Sequence, residues 1–350
     1  RRVVFFEMQS SLLFLLSLTL LAFQEKNPAQ AFAVSSIVCN SGTRKQQGWV
    51  GSSLTRDRRS LLSVGGKTAA RTSHASALKV SGGDEEVEVH KKGMIWRELI
   101  AEYMGTFLIV WLGCGTVCSA IYTGAQTGLW QIAVVWSIAV TVAISCTSAI
   151  SGAHLNPAIS IAIASLRRGP SFGWGKVLPY CAAQLLGAIS AASVNFILYR
   201  EKIAAFEASS GIVRGAANSV ASASAFGEYW SVASWQTALF AEVFGTGILA
   251  FVIFALTNSK NDATSKNSHV VPPLIGITVG ALISVIAPLT QAGFNPARDF
   301  GPRIVTALTG WGRDVSMKGW WVYVLGPIIG APLGGYLADR VLYRDPKVNS

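Results

Sequence analysis

Charged residues are scarce in this sequence. Asp, Glu, Lys and Arg make up 13% of its 350 residues, against about 25% in soluble globular proteins, and the mean hydropathy is +0.43. The net charge of +11 does not indicate a nucleic-acid partner, because the basic residues do not cluster. Residues 1–92 hold 13 Lys and Arg against seven Asp and Glu, and residues 93–350 hold 16 against 11. The composition indicates a membrane protein.

Histidine and cysteine are also rare. Only one of the four histidines, His154, lies within the apolar segments or their loops, with no Glu or Cys at ligand spacing. We therefore expect no metal, no cofactor and no catalytic triad, so the protein is predicted not to be an enzyme. The cysteines are odd in number and mostly in apolar stretches, so we interpret them as small buried residues and not as disulfides: Cys39, Cys114, Cys118, Cys146 and Cys181.

The first 31 residues have the pattern of a signal peptide. Ser11–Phe23 is an apolar run of 13 residues, too short to cross a bilayer. It is followed by Ala29-Gln30-Ala31, which matches the A-x-A cleavage pattern. We expect Met8 to be the start of translation.

Residues 32–83 have the composition of a transit peptide, with eight basic residues and one acidic residue among many Ser and Thr. The whole leader resembles the two-part leader of algae with complex plastids, which predicts a multi-pass protein of the plastid envelope. The alternative is a cytosolic tail behind a signal anchor, in the plasma membrane or an endomembrane. We interpret residues 84–94 as a solvated linker, 95–343 as the membrane domain and 345–350 as a tail.

Six apolar segments follow, each close to or above the roughly 20 residues that a helix needs to cross a bilayer. They are Trp96–Tyr122, Gly128–Ile150, Lys176–Tyr199, Ser234–Thr257, Val271–Leu289 and Gly319–Leu342. Two more apolar pieces, Leu155–Leu166 and Phe294–Leu308, are too short to cross. We expect them to be re-entrant half-helices, which a membrane tolerates only where protein or a watery cavity satisfies the loop backbone.

The two halves of the membrane domain repeat. Three short motifs recur at offsets of 140, 139 and 144 residues: Ala101–Thr106 as Ala241–Thr246, Asn156–Ala158 as Asn295–Ala297, and Leu198–Arg200 as Leu342–Arg344. Each half, about 95–200 and 234–344, has three spans, an odd number, so the second half is inverted relative to the first. The predicted fold is an all-α membrane protein of six transmembrane helices and two half-helices in an inverted repeat.

The basic residues orient the spans. Eleven of them lie on the side of both termini and five on the other, so the positive-inside rule places both termini inside. The eleven are Lys91, Lys92, Arg97, Arg167, Arg168, Lys176, Lys260, Lys266, Arg340, Arg344 and Lys347; the five are Arg200, Lys202, Arg214, Arg313 and Lys318.

Each predicted half-helix opens with Asn-Pro-Ala. A single copy would be an ordinary helix start, since Asn caps helices and Pro suits the first helical position. Two copies related by the repeat indicate more. The side-chain oxygens of Asn156 and Asn295 cap the half-helices, so their amide nitrogens are left as donors that point to the midplane. The dipoles of both half-helices place positive charge at the same point. The predicted pore motifs are Asn156, Pro157, Ala158, Asn295, Pro296 and Ala297.

Charged residues within these apolar segments are costly, so each of them indicates a function. Glu102 and Glu242 occupy equivalent repeat positions, so we expect them to accept N–H groups of the loops before the half-helices; a proton relay is the less favoured alternative. Asp299, in the first turn of its half-helix, suits the dipole. Arg298 has no charged repeat mate, so we expect it to point into a pore. We group His154 with Glu102, Glu242 and Asp299 as structural support.

Ser151–Ala158 and Gly293–Arg303 resemble the two signature loops of the major intrinsic protein family, the aquaporins and aquaglyceroporins, and the resemblance covers roughly residues 95–343. It implies a passive channel for water and small uncharged solutes, assembled as a homotetramer in membrane lipid. It also implies a narrow filter of four residues, here Trp136, Ile283, Ala292 and Arg298.

The filter residues indicate the solute class. Water-selective members have His and a small polar residue at Ile283 and Ala292, and bacterial glycerol facilitators share Trp136 and Asp299 but have Gly and Phe at those two positions. The combination is similar to that of nodulin-26-like members, which pass glycerol and other neutral solutes. The alternative function is a secondary transporter with inverted repeats, but no span holds the cluster of acidic or polar residues that ion coupling needs.

Overall fold

A computed structural model describes residues 83–344, with side chains described from residue 95 onward. The predicted signal peptide, nearly all of the transit-like segment, Cys39 and the tail lie outside the described residues. All side chains considered below belong to one compact unit, which includes residues 91–344.

The described chain is helical and contains no strand within residues 83–344. The eight main helices are α1 (Gly83–Thr123), α2 (Leu129–Ser151), α3 (Pro157–Leu166), α4 (Trp174–Ser209), α5 (Trp235–Leu256), α6 (Val271–Thr290), α7 (Pro296–Thr306) and α8 (Val322–Tyr336). Short helical turns lie at Ala217–Ser219, Val220–Ala223, Asp262–Ser265, Ser268–Val270, Ala307–Trp311, Gly312–Ser316 and Leu337–Leu342.

The helices confirm the predicted fold class. Within the described part, α1, α2, α4, α5 and the helical segment that ends with α6 are long and apolar enough to cross a membrane. The sixth, α8, has 15 residues and continues as a π-type turn to Leu342, where the predicted segment also ends. Two bounds differ from the prediction. Helix α4 extends past Tyr199 to Ser209, and α1 begins at Gly83 and therefore includes residues 84–94.

The two half-helices begin one residue after their asparagines. Helix α3 has 10 residues and α7 has 11, each about 15 Å long at roughly 1.5 Å per residue, half the thickness of the hydrocarbon layer. The Asn156 side chain accepts the Ala158 N–H at 2.9 Å, and that of Asn295 accepts the Ala297 N–H at 3.0 Å. Capping and Pro at the first helical position thus fix where both half-helices start.

The packing repeats between the halves in a crossed manner. Half-helix α3 packs on α8 of the other half, α7 packs on α4, and α2 packs on its repeat mate α6. Two equivalent glycines allow close helix crossings: a Cβ on Gly187 would overlap the Tyr103 carbonyl, and one on Gly330 would overlap the Val243 carbonyl. Each half-helix is therefore held by the opposite half.

The outer surface of the helices is apolar. Leu178 is 78% exposed and Val285 73% exposed, as expected where side chains face lipid. The prediction of buried cysteines holds for Cys114 and Cys118, whereas Cys146 is exposed and Cys181 is half-buried. The prediction is wrong for Cys146, because an apolar run does not tell the side that faces lipid from the side that faces protein.

Candidate functional site

A cavity of about 890 Å³ runs along the half-helices. Residues of α1, α2, α3, α5, α6 and α7, together with both loops before the half-helices, form its wall. Among the residues predicted from the sequence, the cavity brings together Trp136, His154, Asn156, Ile283, Ala292, Asn295 and Arg298. Glu102, Glu242 and Asp299 lie behind this wall and are fully buried.

The two capping asparagines are joined across the repeat. The Asn156 amide nitrogen donates to the Phe294 carbonyl at 2.9 Å, and the Asn295 amide nitrogen donates to the Leu155 carbonyl at 2.8 Å. Each amide has two hydrogens, so one hydrogen of each remains beside the cavity. Sequence reasoning missed these crossed bonds, which fix the direction of that second donor.

The loops before the half-helices have an unusual backbone. Left-handed φ angles occur at Ala153, Leu155, Gln291, Ala292 and Phe294, and also at Gly152. Residues other than glycine rarely adopt this conformation, which costs of order 1–3 kcal/mol each and persists only where the surroundings enforce it. The equivalence of the positions in both loops shows that the strained conformation is part of the repeated design.

Glu102 holds the first loop. One carboxylate oxygen accepts the Ser151 hydroxyl at 2.7 Å and the His154 N–H at 2.9 Å; the other accepts the Leu155 N–H and the Gln184 amide, both at 2.7 Å. A buried carboxylate with four donors is fully satisfied. Its bonds hold the loop backbone in place without any solute.

Glu242 holds the second loop in the same way. Its Oε1 accepts the Thr290 hydroxyl at 2.7 Å and the Gly293 N–H at 3.1 Å, and its Oε2 accepts the Phe294 N–H at 2.9 Å. No chain of acidic side chains or histidines joins the two glutamates among the described hydrogen bonds, so their contacts favour support over proton relay.

The four residues of the predicted filter lie together near the start of α7. All four are buried to within 5% exposure, and the Arg298 guanidinium carbon lies 4.3 Å from the centre of the Trp136 ring. Arg298 Nη1 has no hydrogen-bond partner within the described chain. Ile283 and Ala292 complete the wall with apolar groups. This part of the cavity wall thus contains both the donors of Arg298 and the hydrocarbon of Trp136, Ile283 and Ala292.

Comparison with known proteins identifies the family of this chain. The family model of the major intrinsic proteins matches residues 88–338. The chain belongs to the major intrinsic protein family.

The relatives of this major intrinsic protein include two bacterial uptake facilitators and an aquaglyceroporin of known structure. It is 39% identical over 251 residues to the propanediol uptake facilitator of Citrobacter freundii, covering 71% of this chain and 90% of the relative. It is also 39% identical over 246 residues to the glycerol uptake facilitator of Pseudomonas aeruginosa, covering 69% and 86%. The aquaglyceroporin structure from Plasmodium falciparum matches with a TM-score of 0.62 and 28% identity, over 71% of this chain and 97% of that one. The resemblance inferred from the signature loops is confirmed.

His154 lines the cavity of this major intrinsic protein next to the first half-helix. Its Nδ1 lies 3.2 Å from the Ser160 hydroxyl, and its ring packs on Phe172 and Tyr180 at centroid distances of 4.3 and 5.2 Å. These contacts hold the ring in one orientation. His154 therefore combines the predicted supporting position with a polar edge on the cavity.

One end of α3 is tied to two helices of the other half. Arg167 donates two hydrogen bonds of 2.6 Å to the Asp339 carboxylate and one of 2.7 Å to the Thr257 hydroxyl, and its guanidinium lies 4.4 Å from the centre of the Phe254 ring. A bidentate pair fixes both distance and orientation. The half-helix is thus anchored at both of its ends.

Asp299 has a larger role than its predicted place beside the dipole. Its Oδ2 accepts from Arg303 Nε at 2.7 Å, and its Oδ1 accepts the Glu228 N–H at 2.7 Å. Arg303 and Glu228 were not among the predicted site residues. Arg303 lies one helical turn after Asp299, a spacing typical of ion pairs on one helix face. This spacing could have predicted the pair from the sequence.

Proposed function

We propose that this chain forms a passive pore for water and for small uncharged polyols such as glycerol. The observation that carries the proposal is Arg298 stacked on Trp136 inside the cavity, with Nη1 left without a protein partner. Donors beside an apolar wall suit a carbon chain that has hydroxyl groups along one edge. Ile283 lines the same cavity with hydrocarbon.

The names of two relatives support this solute class. One is a propanediol uptake facilitator and the other a glycerol uptake facilitator. Propanediol and glycerol are uncharged three-carbon chains that bear hydroxyl groups. We expect this chain to pass both.

The paired half-helices support exclusion of ions. Asn156 and Asn295 each retain one amide hydrogen beside the cavity, and two helix N-termini place partial positive charge there. A water molecule whose oxygen faces both amides cannot pass a proton along a chain of waters. Half-helix dipoles and a pore arginine are the known barrier to protons and cations in aquaporin-type pores.

Swelling of proteoliposomes tests the proposal. We expect fast swelling in glycerol and propanediol, fast water flow and no ionic current. A sizeable proton or cation conductance would overturn the pore mechanism. Uptake that depends on a proton gradient, or that shows counterflow, would indicate the alternative of a secondary transporter.

Two variants test the filter. Arg298→Ala removes a fixed positive charge, so it should widen the constriction and weaken cation rejection while the asparagine barrier remains. Ile283→His narrows the passage and adds a polar group, so glycerol flow should fall more than water flow. An unchanged glycerol-to-water ratio in both inserted variants would place the filter elsewhere.

We also propose a homotetramer in the plastid envelope. The apolar outer surface, with Leu178 and Val285 exposed, provides area for packing between copies or against lipid. The acid-poor segment 32–83 favours plastid delivery. Native mass spectrometry should give four times the mass of one chain. A fluorescent fusion of residues 8–92 that stays at the cell surface would exclude the plastid location.

A further inference from the structure

Glu228 makes a contact that neither the sequence nor the repeat predicts. It lies in the segment between α4 and α5, outside the membrane-spanning helices, and is 3% exposed. Its carboxylate forms an ion pair with Arg298 Nη2. Glu228 itself does not line the cavity. It therefore reaches a passing solute only through Arg298.

Half-helix α7 holds the backbone of Glu228 on both sides. The Glu228 N–H donates to Asp299 Oδ1 at 2.7 Å, and the Glu228 carbonyl accepts from Arg303 Nη2. Asp299 and Arg303 are themselves an ion pair of 2.7 Å with fully buried side chains. Arg298 precedes Asp299 directly, so about one and a half turns of α7 carry both the partner of the Glu228 side chain and the two residues that hold its backbone.

The neighbours of Glu228 are fixed as well. A Cβ on Gly227 would lie 2.7 Å from Arg303 Cγ, so only glycine lets the arginine pass. The Tyr229 N–H donates to Gln291 Oε1 at 2.7 Å, and the Tyr229 ring centre lies 4.7 Å from the Arg303 guanidinium carbon. The segment is thus bound to the second loop and to α7, and the Glu228 carboxylate is held in one position.

The ion pair decides what Arg298 offers to a solute. Its Nη2 is taken by Glu228, one face of the guanidinium lies on Trp136, and Nη1 has no partner in the described chain. A carboxylate in contact cancels the long-range field of the guanidinium, since opposite charges at contact act as a dipole. The filter then carries less net charge than a lone guanidinium would, and Arg298→Ala would weaken cation rejection by leaving the Glu228 carboxylate unpaired.

We propose that Glu228 is a positioning residue of the filter, which neutralises Arg298 and leaves Nη1 as the nitrogen that a solute hydroxyl binds, and which thereby sets the selectivity between polyols and water. This inference rests on the proposed function as a polyol and water pore. Without the carboxylate, Arg298 has a free charge and an additional set of donors. It should then hold hydroxyl groups more strongly and release a polyol with several hydroxyls more slowly than water.

Protonation gives a readout that a purely structural role would not produce. Burial raises the pKa of Glu228 to about 8, and the charge of Arg298 opposes this rise. Arg298 stays charged throughout this range. The other titratable groups around Glu228 are Asp299 and Arg303 on α7, Glu242 on α5, Cys114 on α1, Tyr323 on α8 and the adjacent Tyr229. Acid pH should therefore free the Arg298 charge as removal of the carboxylate does.

The test compares glycerol and water permeability of proteoliposomes at about pH 6.5 and about pH 9.5, on either side of the Glu228 pKa of about 8. In the wild type the glycerol-to-water ratio should be lower at acid pH, by about three- to tenfold, the factor that one net hydrogen bond supplies. Glu228→Gln should show the acid value at both pH values. Glu201→Gln, which removes an exposed carboxylate in the part of α4 beyond Tyr199, is the matched control and should follow the wild type.

A wild-type ratio that does not change with pH overturns the proposal, as does a Glu228→Gln variant that keeps the wild-type pH dependence. The wild-type measurement decides even if the variant does not fold. If glycerol does not pass at all, the proposed polyol function fails separately. The pH dependence of water flow then tests Glu228, because a freed Arg298 also retains water.

Discussion

Replacement of Glu242 by glutamine should loosen the second loop and slow the pore. The carboxylate accepts three hydrogen bonds, from Thr290, Gly293 and Phe294. Glutamine has one acceptor oxygen and one donor group in the same space. With its oxygen in the place of Oε1 it keeps the bonds from Thr290 and Gly293, and its NH₂ group then faces the Phe294 N–H.

The magnitude follows from that geometry. One buried N–H loses its acceptor, which costs about 1–3 kcal/mol, and the two remaining bonds lose the charge that strengthened them. We therefore expect the free energy of unfolding to fall by about 2–4 kcal/mol. The loss falls on residues that are already strained, because Gln291, Ala292 and Phe294 have left-handed φ angles. The loop should relax away from this conformation, which moves Ala292 and Arg298 out of register with Trp136.

Thermal unfolding in detergent and swelling of proteoliposomes together test this. The melting temperature should fall by at least about 4 °C, taking about 2 °C per kcal/mol for a chain of this size, and glycerol flow should fall with it. Glu201→Gln, which also removes one negative charge but at an exposed position, should change neither. A Glu242→Gln variant with a wild-type melting temperature and wild-type flow would refute the reasoning.

Two further substitutions separate the wall from the barrier. A Cβ on Gly113 would overlap the Trp136 ring, so Gly113→Ala should push the ring into the pore and lower glycerol flow more than water flow. Gly175→Ala is the control, because a Cβ there meets open space, and it should leave both flows unchanged. Equal effects of the two substitutions would contradict the proposed role of this contact. Asn295→Asp keeps the capping oxygen but removes the donor to Leu155 and adds a charge that the helix N-termini keep ionised. We expect the variant to leak protons or cations, which a pH-sensitive dye inside vesicles would measure. A variant that leaks no more than the wild type would argue against the asparagine barrier.

Much of the fold could be predicted because its signals lie in consecutive residues. Apolar segments of about 20 residues predict spans, and Asn-Pro-Ala predicts a helix start from capping alone. The inverted repeat follows from recurring motifs with three spans between them. The exact ends of the helices were harder to predict. Helix α4 runs ten residues past the predicted end at Tyr199, because a helix that continues beyond the membrane keeps its backbone hydrogen bonds after its sequence stops being apolar.

Part of the candidate site could also be placed from the sequence. Glu102 and Glu242 stand at equivalent repeat positions, so a shared structural contact was predictable, as was a pore position for Arg298, which lacks a charged repeat mate. The exposure of Cys146 was not predicted, because the apolar run was read as buried without regard to its faces; Ser137, Thr141 and Ser145, four residues apart on α2, mark the side that faces protein.

The sequence by itself determined the number of spans, the repeat and the start of each half-helix, because backbone hydrogen bonding and burial of apolar runs act between residues close in the chain. Tertiary structure alone decided which distant groups meet. Asn156 reaches Phe294, and Glu228 reaches Arg298 from a segment without helical periodicity. Such pairs depend on how α3 packs on α8 and α7 on α4, and that packing is a property of the assembled halves, which no stretch of consecutive residues contains.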